Sequence, residues 1–230
     1  KDTIISDQYV ILSIKKININ TFYMAKSAGV DPATGAQLYW VYDKDENGNI
    51  INERISDDYS KASTSKYYQG NRIPDLYGSI GTDFSYKGFD LSVLTSYSIG
   101  GKIYDSLYTG SMNAQYATNT WNKHQLRRWQ KPGDITDVPR VEINGAYTTT
   151  DRFLINASYF AIKNITLGYS LPKDWMRKAK LGNVRVFGSI DNLALFSHLK
   201  GMDPQYNFKG ETDYSYTPNK TYSFGVEINF

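Results

Sequence analysis

The sequence predicts an all-β fold: an antiparallel transmembrane β-barrel segment of about seven strands. Three observations carry this. Stretches of about ten residues alternate apolar and polar side chains, the period of a strand with one apolar and one polar face. Short and long connections alternate along the chain, as in barrels with tight turns at one end and long loops at the other. Finally, mean hydropathy is only −0.50 although 15% of the residues are aromatic. Lumen-facing residues dilute lipid-facing ones in a barrel strand, which produces this combination.

The elements follow in order. Gln8 to Ile14 and Ile17 to Ala25 both alternate, with Lys15-Lys16 as the turn between them. Leu76, Ile80, Phe84 and Tyr86 share one parity, with Gly78 and Thr82; Phe89, Leu91, Val93, Thr95, Tyr97 and Ile99 share another. The two-residue link Lys87-Gly88 makes these a hairpin. Such a turn pairs its flanking residues, so Tyr86 must face Phe89, and both belong to the apolar parity of their own strand. A strand from Leu154 to Leu171 carries the row Ile165, Leu167, Tyr169 and Leu171. Its parity switches toward Phe160 and Ile162 before Lys163, so a β-bulge is expected near Lys163-Asn164. Pro172 ends this strand because it has no N–H for a ladder. Asp174 to Lys180 is expected as a turn or two of helix, with Lys178 and Lys180 suiting the helix dipole and Gly182 as the stop. Val184, Val186, Gly188 and Ile190 mark a further strand. The last strand is the clearest: Tyr222, Phe224, Val226, Ile228 and Phe230 alternate with Thr221, Ser223, Gly225, Glu227 and Asn229.

The links at 15–16, 87–88 and 172–182 are short, and those at 28–75, 101–153 and 194–219 are long, polar and aromatic-rich. Barrel polarity then places the C-terminus in the periplasm and the long loops outside the cell. Other classes are excluded by composition. The 230 residues contain no cysteine, which removes disulfides, cysteine-ligated zinc and thiol chemistry. A formal net charge of +3 does not indicate a nucleic-acid surface. The apolar runs are far shorter than the ~20 residues of a membrane-spanning helix. The first residue is Lys1, so the chain is expected to be processed, trimmed or a fragment.

Ala28-Gly-Val-Asp-Pro-Ala-Thr-Gly35, Tyr86-Lys-Gly-Phe-Asp-Leu91, Arg128-Trp129, Pro132-Gly-Asp134, Pro139-Arg140, Asn164-Ile-Thr-Leu-Gly-Tyr-Ser-Leu-Pro172, Asp191-Asn-Leu193 and Gly201-Met-Asp-Pro204 occur in this order before the Phe230 ending. Together they resemble the C-terminal part of SusC/RagA-type TonB-dependent transporters of Bacteroidota, over nearly the whole chain. One departure is Arg72, where the family often has a second proline before Ile73-Pro74. The resemblance implies that residues 1–230 are about seven strands of a 22-stranded outer-membrane barrel, without its plug domain or N-terminal strands. It implies an active importer of oligomeric nutrients, glycan oligosaccharides or peptides. The implied partners are the remainder of the barrel and plug, a SusD-like surface lipoprotein as lid, TonB acting through the missing N-terminal part, outer-membrane lipid and the substrate. A dimer of transporter–lipoprotein pairs is also implied.

The loop at 101–153 holds the candidate substrate-contacting residues Tyr108, Tyr116, Trp121, Arg127 and Trp129. Aromatic faces stack on sugar rings, and guanidinium groups anchor hydroxyls or carboxylates. The alternative is that these residues pack the loop's own small core or meet the lid protein, since a loop this long needs internal packing. Arg128-Trp129, with its neighbouring motifs, recurs in the family whatever the substrate, which favours structure. Tyr206, Phe208, Tyr214 and Tyr216 of the last loop carry the same ambiguity.

Asp43, Asp45 and Asn47, with Gly48, resemble the first half of a calcium loop, for which Asp57 or Asp58 would complete the ligands. The twelfth position should be a bidentate glutamate but is Arg54, so a solvated hairpin turn is the competing reading. No cofactor is required by the sequence. His124 and His198 have no metal spacing, and no nucleophile elbow or phosphate loop occurs, so an enzyme is not expected.

Two other architectures make different predictions. A soluble or surface-attached glycan-binding β-sandwich would bury Phe224, Val226, Ile228 and Phe230 in its core. A self-contained eight-stranded barrel would need one more strand, with Gln37 to Asp43 the candidate, and closure between the ends.

Overall fold

A computed structural model describes residues 20–47, 49–113, 120–142, 149–198, 203–205, 210–212 and 217–229. In chain order its strands are β1 (Thr21–Met24), β2 (Lys26–Val30), β3 (Gln37–Lys44), β4 (Ile50–Ser56), β5 (Tyr67–Asn71), β6 (Leu76–Tyr86), β7 (Phe89–Ile99), β8 (Lys102–Tyr104), β9 (Leu154–Asn156), β10 (Tyr159–Ser170), β11 (Asn183–Ser197) and β12 (Thr221–Asn229). The short helices are α1 (Tyr59–Thr64), α2 (Ser106–Ser111) and α3 (Lys173–Ala179). The chain divides into two units.

One unit is built on a single antiparallel sheet in the order β12-β11-β10-β7-β6. The expected hairpin is present: Tyr86 pairs with Phe89, and Leu76 with Ile99. Lys87 and Gly88 both take positive φ, the conformation that matches a two-residue turn to the twist of its strands. Both ladders of β10 slip between Ile162 and Asn164, so the expected bulge is there. The stretch from Leu154 is interrupted before Tyr159. β9 leaves to pair with β8, and the backbone crossing to β10 is tied by Ala157 N–H donating to Gly101 O (3.1 Å). The helix ends on Lys180 rather than Gly182. Lys180 itself adopts the left-handed conformation, and its N–H caps Arg177 and Met176 carbonyls. The Gly182 N–H is instead used by Asn229 O (2.8 Å).

Registers across the sheet sort its side chains into faces. Phe84, Leu91, Leu167, Gly188 and Phe224 form one cross-strand row, and Tyr86, Phe89, Tyr169, Val186 and Val226 the next. This face is exposed: Phe224 is 87% accessible, and Phe84, Leu167, Tyr222 and Val226 are also open. A sandwich core would bury Phe224, Val226 and Ile228, so that architecture is overturned for the described residues; Phe230 lies outside them. In water an apolar face this continuous would be unstable; hydrocarbon is the solvent that fits it.

The second unit contains residues 1–73, 102–156 and 207–214. Its strands form a three-stranded sheet, β2-β3-β4, and the pairs β1-β5 and β8-β9. Two small cores hold it. Phe22, Met24, Tyr104, Met112, Val138 and Phe153 make one, and Ala25, Tyr39, Val41 and Ala62 the other. The 28–75 link is therefore not an irregular loop. Alternation over Gln37–Lys44 and Ile50–Ser56 builds a hairpin within it. β3 pairs with β2 and β4 and does not extend the five-stranded sheet, which removes its proposed role as an eighth barrel strand. Of the opening segments, Gln8 to Ile14 and the Lys15-Lys16 turn lie outside the described residues. The described part of the second, β1, pairs with β5 and buries both Phe22 and Met24.

Candidate functional site

Two surfaces carry polar chemistry: the polar face of the five-stranded sheet and the knot of loop motifs in the second unit. On the sheet, Asp83, Ser92, Thr166, Ser189 and Ser223 form one polar row, and Leu94, Asn164, Asp191 and Thr221 lie in the next. Asn164 Nδ2 donates to Asp191 Oδ1 (2.7 Å) and Ser189 Oγ (2.9 Å); Thr166 Oγ1 donates to Asn164 Oδ1 (2.9 Å). Asn164 shares this face with Thr166 by alternation, and the slip at Ile162/Asn164 puts Ile162 on the other face.

Nearer the short turns, Arg185 on β11 reaches across β10 to Asp90 on β7. Its Nε donates to Asp90 Oδ1 at 3.0 Å and its Nη2 to Oδ2 at 2.5 Å. A second carboxylate, Glu227 on β12, stands 4.0 Å from Nη1. The strand between them presents Gly168. A Cβ there would sit 2.5 Å from both Arg185 Nη2 and Asp90 Oδ1. The glycine clears the path of a bidentate pair across three strands. One strand further, Gly225 makes room for the Phe187 ring, which a Cβ would approach to 2.5 Å. A charged, hydrogen-bonded face opposite an apolar one is the wall of a wet lumen.

In the second unit the sequence motifs converge. Asp31 closes the first turn: its Oδ1 accepts from Ala33 N–H (2.9 Å), its Oδ2 from the Thr34 hydroxyl (2.5 Å), and its carbonyl from Gly35 N–H (2.8 Å). These hydrogen bonds, led by that from Thr34, hold its carboxyl below the ordinary range. The Pro32 carbonyl then accepts both the Trp129 indole N–H (2.9 Å) and the Gly133 backbone N–H (2.8 Å). The Trp129 ring lies on Gly35, where a Cβ would come within 2.4 Å. Arg140 donates its backbone N–H to Gly35 O (2.9 Å) and Nη1 to Thr34 O (2.8 Å). Asp134 Oδ2 accepts from the N–H groups of Gln130 and Lys131 at 3.0 Å each. Motifs about a hundred residues apart are thus one backbone-satisfying knot.

The predicted site residues fall into different surroundings. Trp129 is part of this knot, which favours its structural reading. Tyr108 is half-buried against the core; its hydroxyl pairs with His124 Nδ1 at 2.9 Å, its ring meets Phe153 edge-on, and burial pushes its phenol up. Arg127 is exposed and paired with Asp137 at 2.8 Å. Trp121 is exposed in the same segment. Tyr116 lies outside the described residues, as do Tyr206, Phe208, Tyr214 and Tyr216. In the sequence Arg140 stands only as part of the Pro139-Arg140 motif, and Arg185 has no assigned role. Parity was the available signal for the second, since Arg185 and Asp90 both stand on the polar side of their strands.

The Asp43 turn is the β3–β4 hairpin connection. Asp45 Oδ1 accepts from the N–H groups of Asn47 (2.9 Å) and Asn49 (2.8 Å). Asp43 is paired with Arg54, whose hydrogen bond lowers the carboxyl's pKa, and Asn52 donates to it as well. The arginine that replaces the expected twelfth ligand thus meets the first. Among the described residues, no group of three or more His, Cys, Asp or Glu stands where it could hold a metal ion.

No protein-family model matches the chain. Over 213 residues it is 29% identical to TonB-dependent receptor P3 of Formosa agariphila, covering 87% of this chain and 19% of that protein. Over 209 residues it is 25% identical to TonB-dependent receptor SusC of Bacteroides thetaiotaomicron, covering 85% and 19%. The chain thus spans about a fifth of the length of these relatives. In fold it matches the RagAB peptide transporter with a TM-score of 0.77 at 24% identity, covering 96% of this chain and 26% of that one. These relatives are receptors and transporters, not enzymes, in line with the expectation from sequence. With one exposed apolar face and one charged face, the chain is similar in sequence to TonB-dependent receptors and in fold to the RagAB transporter.

Proposed function

We propose that residues 1–230 are the C-terminal wall and outer loops of an outer-membrane active importer of oligomeric nutrients, energised through TonB and capped by a SusD-like lipoprotein. The observation that carries this is the two-faced five-stranded sheet. Among the described residues, neither β6 nor β12 has a partner on its outer side. Hydrocarbon does not tolerate such edges, so further strands and a plug complete the barrel. In this reading the turn at Lys87-Gly88 and α3 lie in the periplasm, and the long links of the sequence face the outside. Leu126, Ile135 and Trp121 are large apolar side chains exposed in the second unit. They are the surface a lid lipoprotein would cover.

Substrate stays at the level of class, a glycan oligosaccharide or a peptide. RagAB is a peptide transporter, whereas SusC and the other relatives are named only as TonB-dependent receptors. The test is extraction in mild detergent with mass spectrometry of what co-purifies, followed by growth of a deletion strain on defined oligosaccharides and peptides. A surface lipoprotein, and loss of growth on one class, is the expected outcome. Leu126→Asp with Ile135→Asp should weaken lipoprotein recovery. A 26 kDa species that is stable without detergent and binds glycan would replace this reading with that of a binding domain.

A further inference from the structure

The turn between β10 and β11 is more than a connection. Its helix α3 presents Trp175, 61% accessible, with Lys173, Arg177, Lys178 and Lys180 also exposed. The one acidic group there, Asp174, is 3.4 Å from Arg177. The neighbouring turn adds Lys87, which is tied to this end because Ser170 N–H donates to Gly88 O (2.8 Å). Lys87 Nζ lies 5.2 Å from the Tyr86 ring centroid.

Toward α3 the apolar row of β11 becomes less exposed. Val184 belongs to the apolar row of β11 with Val186 and Ile190. Val186 is 39% accessible but Val184 only 8%. α3 links the ends of β10 and β11 here, and its described buried side chain is Met176 at 7%. The helix stands at this end of the sheet, past the aromatic row Tyr86, Phe89 and Tyr169, in which the Phe89 and Tyr169 rings stand 4.5 Å apart. An indole and basic side chains at the margin of a lipid-facing band have the composition of an interfacial anchor.

We propose that α3 and the Lys87 turn form a headgroup site for anionic phospholipid, with Trp175 at the interfacial level and Lys173, Arg177, Lys178 and Lys87 around the lipid phosphates. Continuity with the apolar band and the excess of positive charge select a lipid as the occupant rather than a soluble protein. The inference rests on the membrane-spanning reading of the sheet, and the leaflet follows from the orientation proposed above.

The intact protein is placed in nanodiscs of mixed phosphatidylglycerol and phosphatidylcholine. Trp175 emission, defined as the difference from Trp175→Phe, should be quenched by lipid brominated near the headgroup, and excess inorganic phosphate should not relieve it. Native mass spectrometry should show retained phosphatidylglycerol enriched about fivefold over phosphatidylcholine, falling to parity in Lys173→Gln/Arg177→Gln/Lys178→Gln. Unquenched Trp175 in inserted protein, relief by free phosphate, or full enrichment in the triple variant overturns the site. Should that variant fail to insert, wild-type quenching and enrichment decide alone. A protein that never enters the nanodisc defeats the membrane reading itself, which separates the two failures.

Discussion

Gly168 and Gly225 are both required for close approach on the polar face, yet they should respond differently to a methyl group. At Gly168 the added Cβ meets the ends of two flexible side chains, Arg185 and Asp90. These can move aside at the cost of their pairing. Gly168→Ala should then cost about 1 kcal/mol, the scale of a partly exposed ion pair. At Gly225 the Cβ meets the Phe187 ring, which cannot yield without a rotamer change, so Gly225→Ala should cost about 2 kcal/mol. Urea unfolding of the folded barrel in detergent reads both, and the opposite ranking would refute the account. Titration offers a second residue-scale test. The Asp31 carboxyl is held low by its hydrogen bonds, chiefly from Thr34. Its contribution is present above the unfolded carboxylate pKa and is lost as pH falls through the lower folded value. Asp151 has the opposite sign. Burial raises it, although it accepts the Ser27 N–H at 2.7 Å, so its ionisation weakens the fold as pH rises past the ordinary value. Exchange protection at Ala33, corrected for intrinsic rates, should fall in the wild type as pH drops below the ordinary carboxylate range. The variant Asp31→Asn should show no such step.

Among the elements, β12 shows most clearly how one strand can meet two solvents. Phe224 stands on the exposed apolar face, next to Ser223 on the polar one. Phe224→Arg should destabilise by about 2–4 kcal/mol if the residue lies near the bilayer midplane, whereas Ser223→Arg should change stability little. Equal effects in a refolding assay into vesicles would mean that the faces have been misassigned. The β3–β4 hairpin illustrates a different control. Its turn is closed by Asp45 through backbone N–H groups, and Arg54 meets Asp43 across the strands. Both carboxylates are engaged by the protein itself, and a sequence that resembles half a calcium loop builds an ion-paired hairpin.

For the whole molecule, the decisive feature is that the five-stranded sheet does not close among the described residues. Its two outer strands, β6 and β12, offer unpaired ladders among the described residues. Expressed alone, the 230-residue chain should therefore associate or aggregate in detergent. It should lack the heat-modifiable mobility of a folded barrel, and regain it only when supplied with the remaining strands. A monodisperse folded monomer in gel filtration would contradict the open-sheet picture. The knot that joins Asp31, Pro32, Gly35, Trp129, Gly133 and Arg140 sits in the other unit. Its residues satisfy backbone groups of their own unit, as the Pro32 carbonyl does for both Trp129 and Gly133.

The sequence by itself determined the hairpin with its Tyr86–Phe89 register, the β10 bulge and the two-faced terminal strand. Each follows from a local rule: a two-residue turn fixes pairing, a parity switch requires an extra residue, and period two separates faces. It also carried, through ordered short motifs, the resemblance that the comparisons uphold. Only the tertiary structure decided the rest. Local alternation cannot say which strand is a neighbour, so Gln37–Lys44 could be read as barrel wall until its pairing with β2 and β4 was seen. Nor can it show that Trp129 rests on Gly35, almost a hundred residues away, or that Arg185 reaches Asp90 across a glycine. Those contacts depend on which backbones lie side by side, a property of sheet order and loop closure that no single segment contains.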